Sequence, residues 1–150
     1  MKLVSLACFS LSLALSVMAC IPEHDYSGAY DMTYDVVLRD ATGKPDARAG
    51  TALVQVHRGP NQDFLVDLGP TFCRLQGAYV AAEYVGEWPY LDIRPQDCFF
   101  TSSSGATVPM SVAGSASYGE GDERFSIVLT GNVTDLDQRA TATVEFTESW

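Results

Sequence analysis

The stretch ATATVEFT, from Ala140 to Thr147, is the clearest structural signal in the chain, because apolar and polar residues alternate at every position. Ala142, Val144 and Phe146 share one face, and the threonines and Glu145 share the other. A period of two residues is typical of a β-strand with one buried and one solvated face. We therefore expect a strand here with Phe146 pointing into the core.

The same period recurs along the chain. The segments that show it are Tyr30–Leu38, Ala52–Val56, Phe64–Leu68, Cys73–Gln76, Ala78–Tyr84, Leu91–Ile93, Val108–Tyr118 and Phe125–Leu129. Residues 40–50 form a polar turn, and the short middle segments are separated by Gly77, Gly86, Pro89 and Pro95. Gly114 interrupts a long segment, where we expect a bulge or a bend. No helical period follows Cys20, so the pattern predicts an all-β domain of about eight strands.

Short turns between sequential strands favour an antiparallel meander, which closes as an up-and-down barrel or folds as a β-sandwich. Gly28-Ala29-Tyr30, at the start of the first strand, weakly resembles the Gly-x-Trp motif that opens the lipocalin barrel. The aromatic residue differs, and the chain lacks the helix that follows a lipocalin barrel. We expect a lipocalin-like barrel, with a sandwich as the alternative.

The amino terminus has the organisation of a secretory signal. Lys2 is followed by an uncharged apolar run that ends at Ala19-Cys20, which predicts a signal peptide over residues 1–19. Val17-Met18-Ala19-Cys20 resembles the lipobox of bacterial lipoproteins, with Met18 larger than the usual small residue. The resemblance implies that Cys20 carries lipid and becomes the new amino terminus. Because Ile21 replaces the Asp that favours inner-membrane retention, it also implies the outer membrane, with the domain facing the periplasm or the cell surface.

Residues 20–27, CIPEHDYS, form a short polar tether, and residues 28–150 form a single domain. Removal of Lys2 with the signal leaves eight basic residues against nineteen acidic ones, a net charge of −11. This balance excludes a nucleic-acid-binding role and disfavours attraction to anionic lipids. The membrane partner is reached through the lipid on Cys20.

Cysteine use supports an oxidising compartment. Cys8 is lost with the signal and Cys20 is lipidated, which leaves Cys73 and Cys98 as a pair. A metal or redox site favours a Cys-x-x-Cys spacing or nearby histidines, and the chain has neither. We therefore predict a structural disulfide between Cys73 and Cys98.

The residues expected to point inward are bulky: Tyr30, Met32, Tyr34, Phe64, Met110, Tyr118, Phe125 and Phe146. An eight-stranded barrel is wide enough to be filled by its side chains or to hold one small ligand. If a ligand binds, Tyr30, Met32, Tyr34, Phe125 and Phe146 are the candidates to contact it. Packing is the competing interpretation.

Catalytic and metal-binding patterns are weak. His57 lies on a polar strand face, His24 lies in the tether, and the serines lack a Gly-x-Ser-x-Gly nucleophile turn. The acidic segments 119–123 and 134–138 can supply calcium ligands only if they meet in space, and solvated hairpin turns explain them better. We expect no enzymatic activity, no cofactor and no metal.

Two functions remain. The first is a structural or protein-interaction role in the cell envelope, through an edge strand or a loop. The second is the transport of a small hydrophobic ligand inside the barrel. Val37, Leu53, Leu65 and Val128 interrupt otherwise polar faces and suggest a partner or a second sheet.

Overall fold

The computed structural model describes residues 25–84, 87–101, 104–118, 124–133 and 141–149. The predicted signal peptide, the lipobox with Cys20 and the acidic segments 119–123 and 134–138 lie outside these residues. The predictions that concern them therefore remain predictions.

Eight strands make up the fold: β1 (Gly28–Arg39), β2 (Pro45–Arg58), β3 (Asp63–Asp67), β4 (Arg74–Val80), β5 (Tyr90–Thr101), β6 (Thr107–Tyr118), β7 (Phe125–Val133) and β8 (Thr141–Glu148). Each strand pairs antiparallel with the next, and β8 pairs with β1 to close a barrel. Closure places Tyr34 opposite Phe146. The predicted antiparallel barrel is confirmed, and the sandwich alternative is wrong.

The barrel interior is a continuous hydrophobic core. In β8, Ala142, Val144 and Phe146 are buried and the residues between them face outward, as the alternation predicts. The same holds in β1 for Met32 and Val36. Because side chains of successive residues point to opposite faces of a strand, each period-two segment contributes one row of the core.

Several strand boundaries differ from the sequence prediction. The polar turn ends at Lys44, and β2 begins at Pro45, so most of residues 40–50 is strand. Gly77 lies inside β4, whereas residues 81–84 lie outside any strand. Pairing across the sheet overrides the local turn propensity of residues 45–50 and of Gly77, and sequence patterns cannot measure this pairing.

Gly114 is required by close packing between strands. A Cβ atom at this position would lie 2.0 Å from the Val128 carbonyl oxygen. The predicted bulge lies opposite, in β5, where the register shifts between Ile93 and Gln96. Pro95 falls inside this bulge, a place where the sheet tolerates a missing N–H group.

The barrel has two distinct ends. The terminal end holds the start of β1 and the end of β8, where the Ser149 N–H group donates to the Asp31 carbonyl oxygen at 2.7 Å. The loops after β2, β4 and β6 also lie there. The distal end holds the turn at residues 40–44 and the loop at residues 68–73. Antiparallel topology therefore places the start of β1 and the end of β8 at one end.

Candidate functional site

The predicted ligand-contacting residues divide between the two ends of the barrel. Tyr30 and Phe125 lie at the terminal end, where their rings stack with centroids 4.4 Å apart. The Tyr30 hydroxyl donates to the Tyr26 carbonyl oxygen at 2.8 Å and lies 3.0 Å from the Tyr118 hydroxyl. These contacts fill the terminal end with mutually packed aromatic rings.

Tyr26 completes this aromatic cluster, although sequence reasoning placed it in the tether. Its ring is 1% exposed, stacks with Tyr118 at 5.7 Å and meets Phe64 edge-on at 6.2 Å. Its hydroxyl donates to the Pro89 carbonyl oxygen. Burial raises the pKa of Tyr26 and that of Tyr30 well above the ordinary tyrosine value. The only sequence signal was an aromatic residue two positions before the first strand.

A second aromatic group occupies the distal half of the barrel. Tyr34 and Phe146, two of the predicted residues, lie 5.8 Å apart. Phe72, from the loop between β3 and β4, meets both at 4.9 Å and 5.3 Å and lies 5.9 Å from Phe100. Sequence reasoning missed Phe72, because no period marks a loop residue that folds back into a barrel.

Side chains therefore fill the described interior. Met32, the fifth predicted residue, is 1% exposed, and Phe64, Met110 and Phe125 are also fully buried. A pocket of about 150 Å³ opens beside Tyr34 and Phe72 at the distal end. Because small-molecule pockets typically measure about 300–1,000 Å³, this space is too small for most lipophilic ligands.

The predicted disulfide between Cys73 and Cys98 is confirmed. It joins the last residue of the loop before β4 to the middle of β5, with the Cα atoms 5.4 Å apart. This distance lies within the range that disulfide geometry favours. The bond fixes the loop that carries Phe72 against the barrel wall.

The wall is incomplete on the side where the disulfide lies. β2 pairs with β3 only through Gln55–Arg58, so Pro45–Val54 has a strand on its β1 side alone among the described residues. β4 pairs with β5 only through Gly77–Val80. We call the opening between Pro45–Val54 of β2 and Gln96–Thr101 of β5 the notch.

Backbone groups of β2 point into the notch. The Gly59 N–H group donates to the Asp63 carbonyl oxygen, so odd-numbered residues direct their backbone groups toward the β3 side. Antiparallel strands keep this alternation along their length. Ala47, Ala49 and Thr51 therefore direct their N–H and carbonyl groups toward the notch. Their side chains are exposed and small.

Two side chains stabilise the margins of the notch. The Gln96 amide accepts from the Gln76 N–H group at 2.8 Å and donates to the Gln76 carbonyl oxygen at 2.9 Å. It thus replaces backbone pairing where β4 and β5 separate. On the other margin, the Arg48 guanidinium donates to the Thr101 carbonyl oxygen at 2.6 Å. This bond links the two margins of the notch near its distal end.

Two of the four apolar residues on polar faces are well exposed. Leu53, at the β2 margin of the notch, is 50% exposed, and Val128 is 42% exposed. Val37 and Leu65 are half-buried. Phe99, on the β5 margin, is 46% exposed and was not singled out from the sequence. Apolar surface therefore lies along both margins of the notch.

The described residues contain no group of three or more histidine, cysteine or acidic side chains placed to hold a metal. Within the same part of the chain, no helix has the length and apolarity of a membrane span. Comparison with protein-family models, with curated proteins and with solved structures finds no match.

Proposed function

We propose that this protein is a lipoprotein of the bacterial outer membrane whose barrel binds another envelope protein through the exposed edge of β2. The observation that carries the proposal is that Ala47, Ala49 and Thr51 of β2 direct backbone groups toward the notch, where no strand of the described residues pairs with them. The lipobox resemblance at Cys20 supports the anchor, and the disulfide fits an oxidising envelope compartment.

A long exposed edge supports binding because proteins usually protect such edges. Edge strands are commonly short, or they carry charges and proline on their free side. The β2 margin spans ten residues, and proline and charges are confined to Pro45, Asp46 and Arg48 in its distal part, whereas Ala49–Leu53 carries neither. A partner strand can pair with Ala47, Ala49 and Thr51 and cover Leu53, which is the mode called β-augmentation.

Site-specific photocrosslinking in the envelope of the native cell tests whether a partner protein contacts the edge of β2. A photoreactive amino acid at Thr51, on the notch, should give a discrete adduct with a partner protein. The same group at Thr130, which is exposed on β7 between two paired strands, should not. Equal adducts from both positions would contradict an edge-specific partner.

A proline substitution tests whether the contact uses backbone hydrogen bonds. Ala49→Pro removes one N–H group that faces the notch, and free edges tolerate proline. The Thr51 adduct should disappear in Ala49→Pro and persist in Ala49→Val, which keeps the N–H group. Adduct formation in both variants would show that the contact does not use strand pairing.

The lipid anchor is tested separately. Cys20→Ala should leave unprocessed or soluble protein, because the modified thiol is absent. Full membrane partition of a normally cleaved Cys20→Ala chain would refute the lipobox interpretation. This outcome would leave the edge proposal standing, since the crosslinks report on β2 alone.

Native mass spectrometry distinguishes the proposed function from ligand transport. A chain of residues 21–150, exported to a periplasm and purified without detergent, should show the bare mass less two hydrogens for the disulfide. The filled interior supports this expectation. Extra mass that is lost on denaturation would instead favour a small hydrophobic ligand.

A further inference from the structure

Three exposed aromatic side chains lie between residues 84 and 90 at the terminal end, two in the loop before β5 and one at the first residue of β5. Tyr84 is 68% exposed, Trp88 is 55% exposed and Tyr90 is 39% exposed. They make up half of the six large hydrophobic side chains that are exposed among the described residues. Exposed apolar groups that concentrate in this way mark an interaction surface.

Local hydrogen bonds connect the residues that neighbour Tyr84 and Trp88. The Glu87 carboxylate accepts from the N–H groups of Glu83 and Tyr84, each at 3.3 Å. The Glu87 N–H group in turn donates to the Tyr84 carbonyl oxygen at 3.2 Å. The backbone beside Tyr84 and Trp88 is therefore held by three hydrogen bonds.

The amino-terminal segment is attached to the same loop. The Tyr26 hydroxyl donates to the carbonyl oxygen of Pro89, the residue between Trp88 and Tyr90. Cys20 precedes Asp25, the first described residue, by five positions. Five residues span at most about 17 Å when fully extended. A lipid on Cys20 would therefore hold this loop close to the bilayer surface.

We infer that Tyr84, Trp88 and Tyr90 insert into the headgroup region of the membrane that carries the anchor. The inference rests on the proposed lipidation of Cys20. Tryptophan and tyrosine favour the membrane–water interface, because each joins an apolar ring to a polar group. Glu83 and Glu87 flank these rings, so zwitterionic headgroups suit the surface better than anionic ones. Insertion directs the distal end and the notch away from the membrane.

The test attaches a lipid to Cys20 by chemical coupling in place of cellular lipidation. A chain of residues 20–150 with Trp150→Phe contains Trp88 as its single tryptophan. With Cys73 and Cys98 oxidised, the Cys20 thiol couples to a maleimide lipid in phosphatidylcholine vesicles. We expect Trp88 emission to shift to shorter wavelength, brominated phosphatidylcholine to quench it, and quenching by aqueous iodide to fall several-fold relative to the uncoupled chain.

A control chain carries its only tryptophan on the β5 margin of the notch, through Trp88→Phe, Trp150→Phe and Phe99→Trp. Its emission should not respond to brominated lipid. An unquenched Trp88 on the coupled vesicles would overturn the inference, and so would equal quenching of both chains, which indicates undirected adsorption. Because coupling does not depend on cellular lipidation, a failure here is distinguishable from a failure of the anchor proposal.

Discussion

At the scale of single residues, Tyr26 is buried although its two neighbours in sequence are exposed. Asp25 and Ser27 are exposed, and the Ser27 N–H group bonds to the Asp25 carboxylate at 2.9 Å. Between them, Tyr26 turns inward and its ring closes the terminal end of the barrel. The tether predicted over residues 20–27 therefore contributes one ring to the core.

Substitution of Tyr26 tests this role. Tyr26→Ala should lower the free energy of unfolding by about 3–5 kcal/mol, the usual cost of removing a buried aromatic ring. Tyr26→Phe keeps the ring and loses the hydrogen bond to Pro89, so it should cost about 1 kcal/mol. Urea unfolding of residues 21–150 measures both values. Equal stability of the wild type and Tyr26→Ala would show that the ring does not close the barrel.

At the scale of elements, the disulfide compensates for short strands. β3 and β4 have five and seven residues, and β5 has twelve, so the distal half of β5 extends past them. Cys73 and Cys98 connect the loop after β3 to this half of β5, which pairs with β6 but not with β4. The same bond holds Phe72 in contact with Tyr34 and Phe146.

Removal of the disulfide should be costly. The bond joins two residues that are 25 positions apart in sequence. In the chain-entropy model such a crosslink stabilises the fold by about 3–4 kcal/mol. The double variant Cys73→Ser with Cys98→Ser should lose about this much in urea unfolding. In the wild type without reductant, alkylation should find no free thiol at either position. Alkylation of either thiol in the folded wild type would contradict the pairing.

At the scale of the whole molecule, one end of the barrel is closed by phenol groups. Tyr26, Tyr30 and Tyr118 lie in mutual contact there, with Tyr26 and Tyr30 buried. Burial raises the pKa of both tyrosines, because the low-dielectric interior disfavours phenolate. The folded state therefore holds their protons at a pH where the unfolded chain releases them.

This difference in proton binding predicts that the protein loses stability at alkaline pH. The stabilisation is fully present below the unfolded tyrosine pKa of about 10, and it is lost as the pH rises from there toward the raised folded values. The free energy of unfolding should therefore fall above about pH 10. A variant with Tyr26→Phe and Tyr30→Phe should lose less stability over the same range in a urea series from pH 8 to pH 11. Parallel pH curves for the two proteins would rule out this linkage.

The sequence by itself determined the fold class, since the period-two pattern of residues such as Val144 and Phe146 depends only on one face being buried. It also determined the cysteine pair, because Cys73 and Cys98 are the two that remain after the predicted signal and lipid site are set aside. The five predicted ligand-contacting residues are all in the described part of the barrel, and ligand binding by them stays a prediction.

Only the tertiary structure decided how the barrel is filled and where its wall opens. Phe72 and Tyr26 enter the interior from outside the strands, and the notch arises because β3 and β4 are shorter than β2 and β5. Strand register and length are set by pairing between segments far apart in sequence, so no local pattern encodes them. For the same reason, the proximity of Tyr26 to Pro89, which places the segment from Tyr84 to Tyr90 close to the first described residues, is visible only in the folded chain.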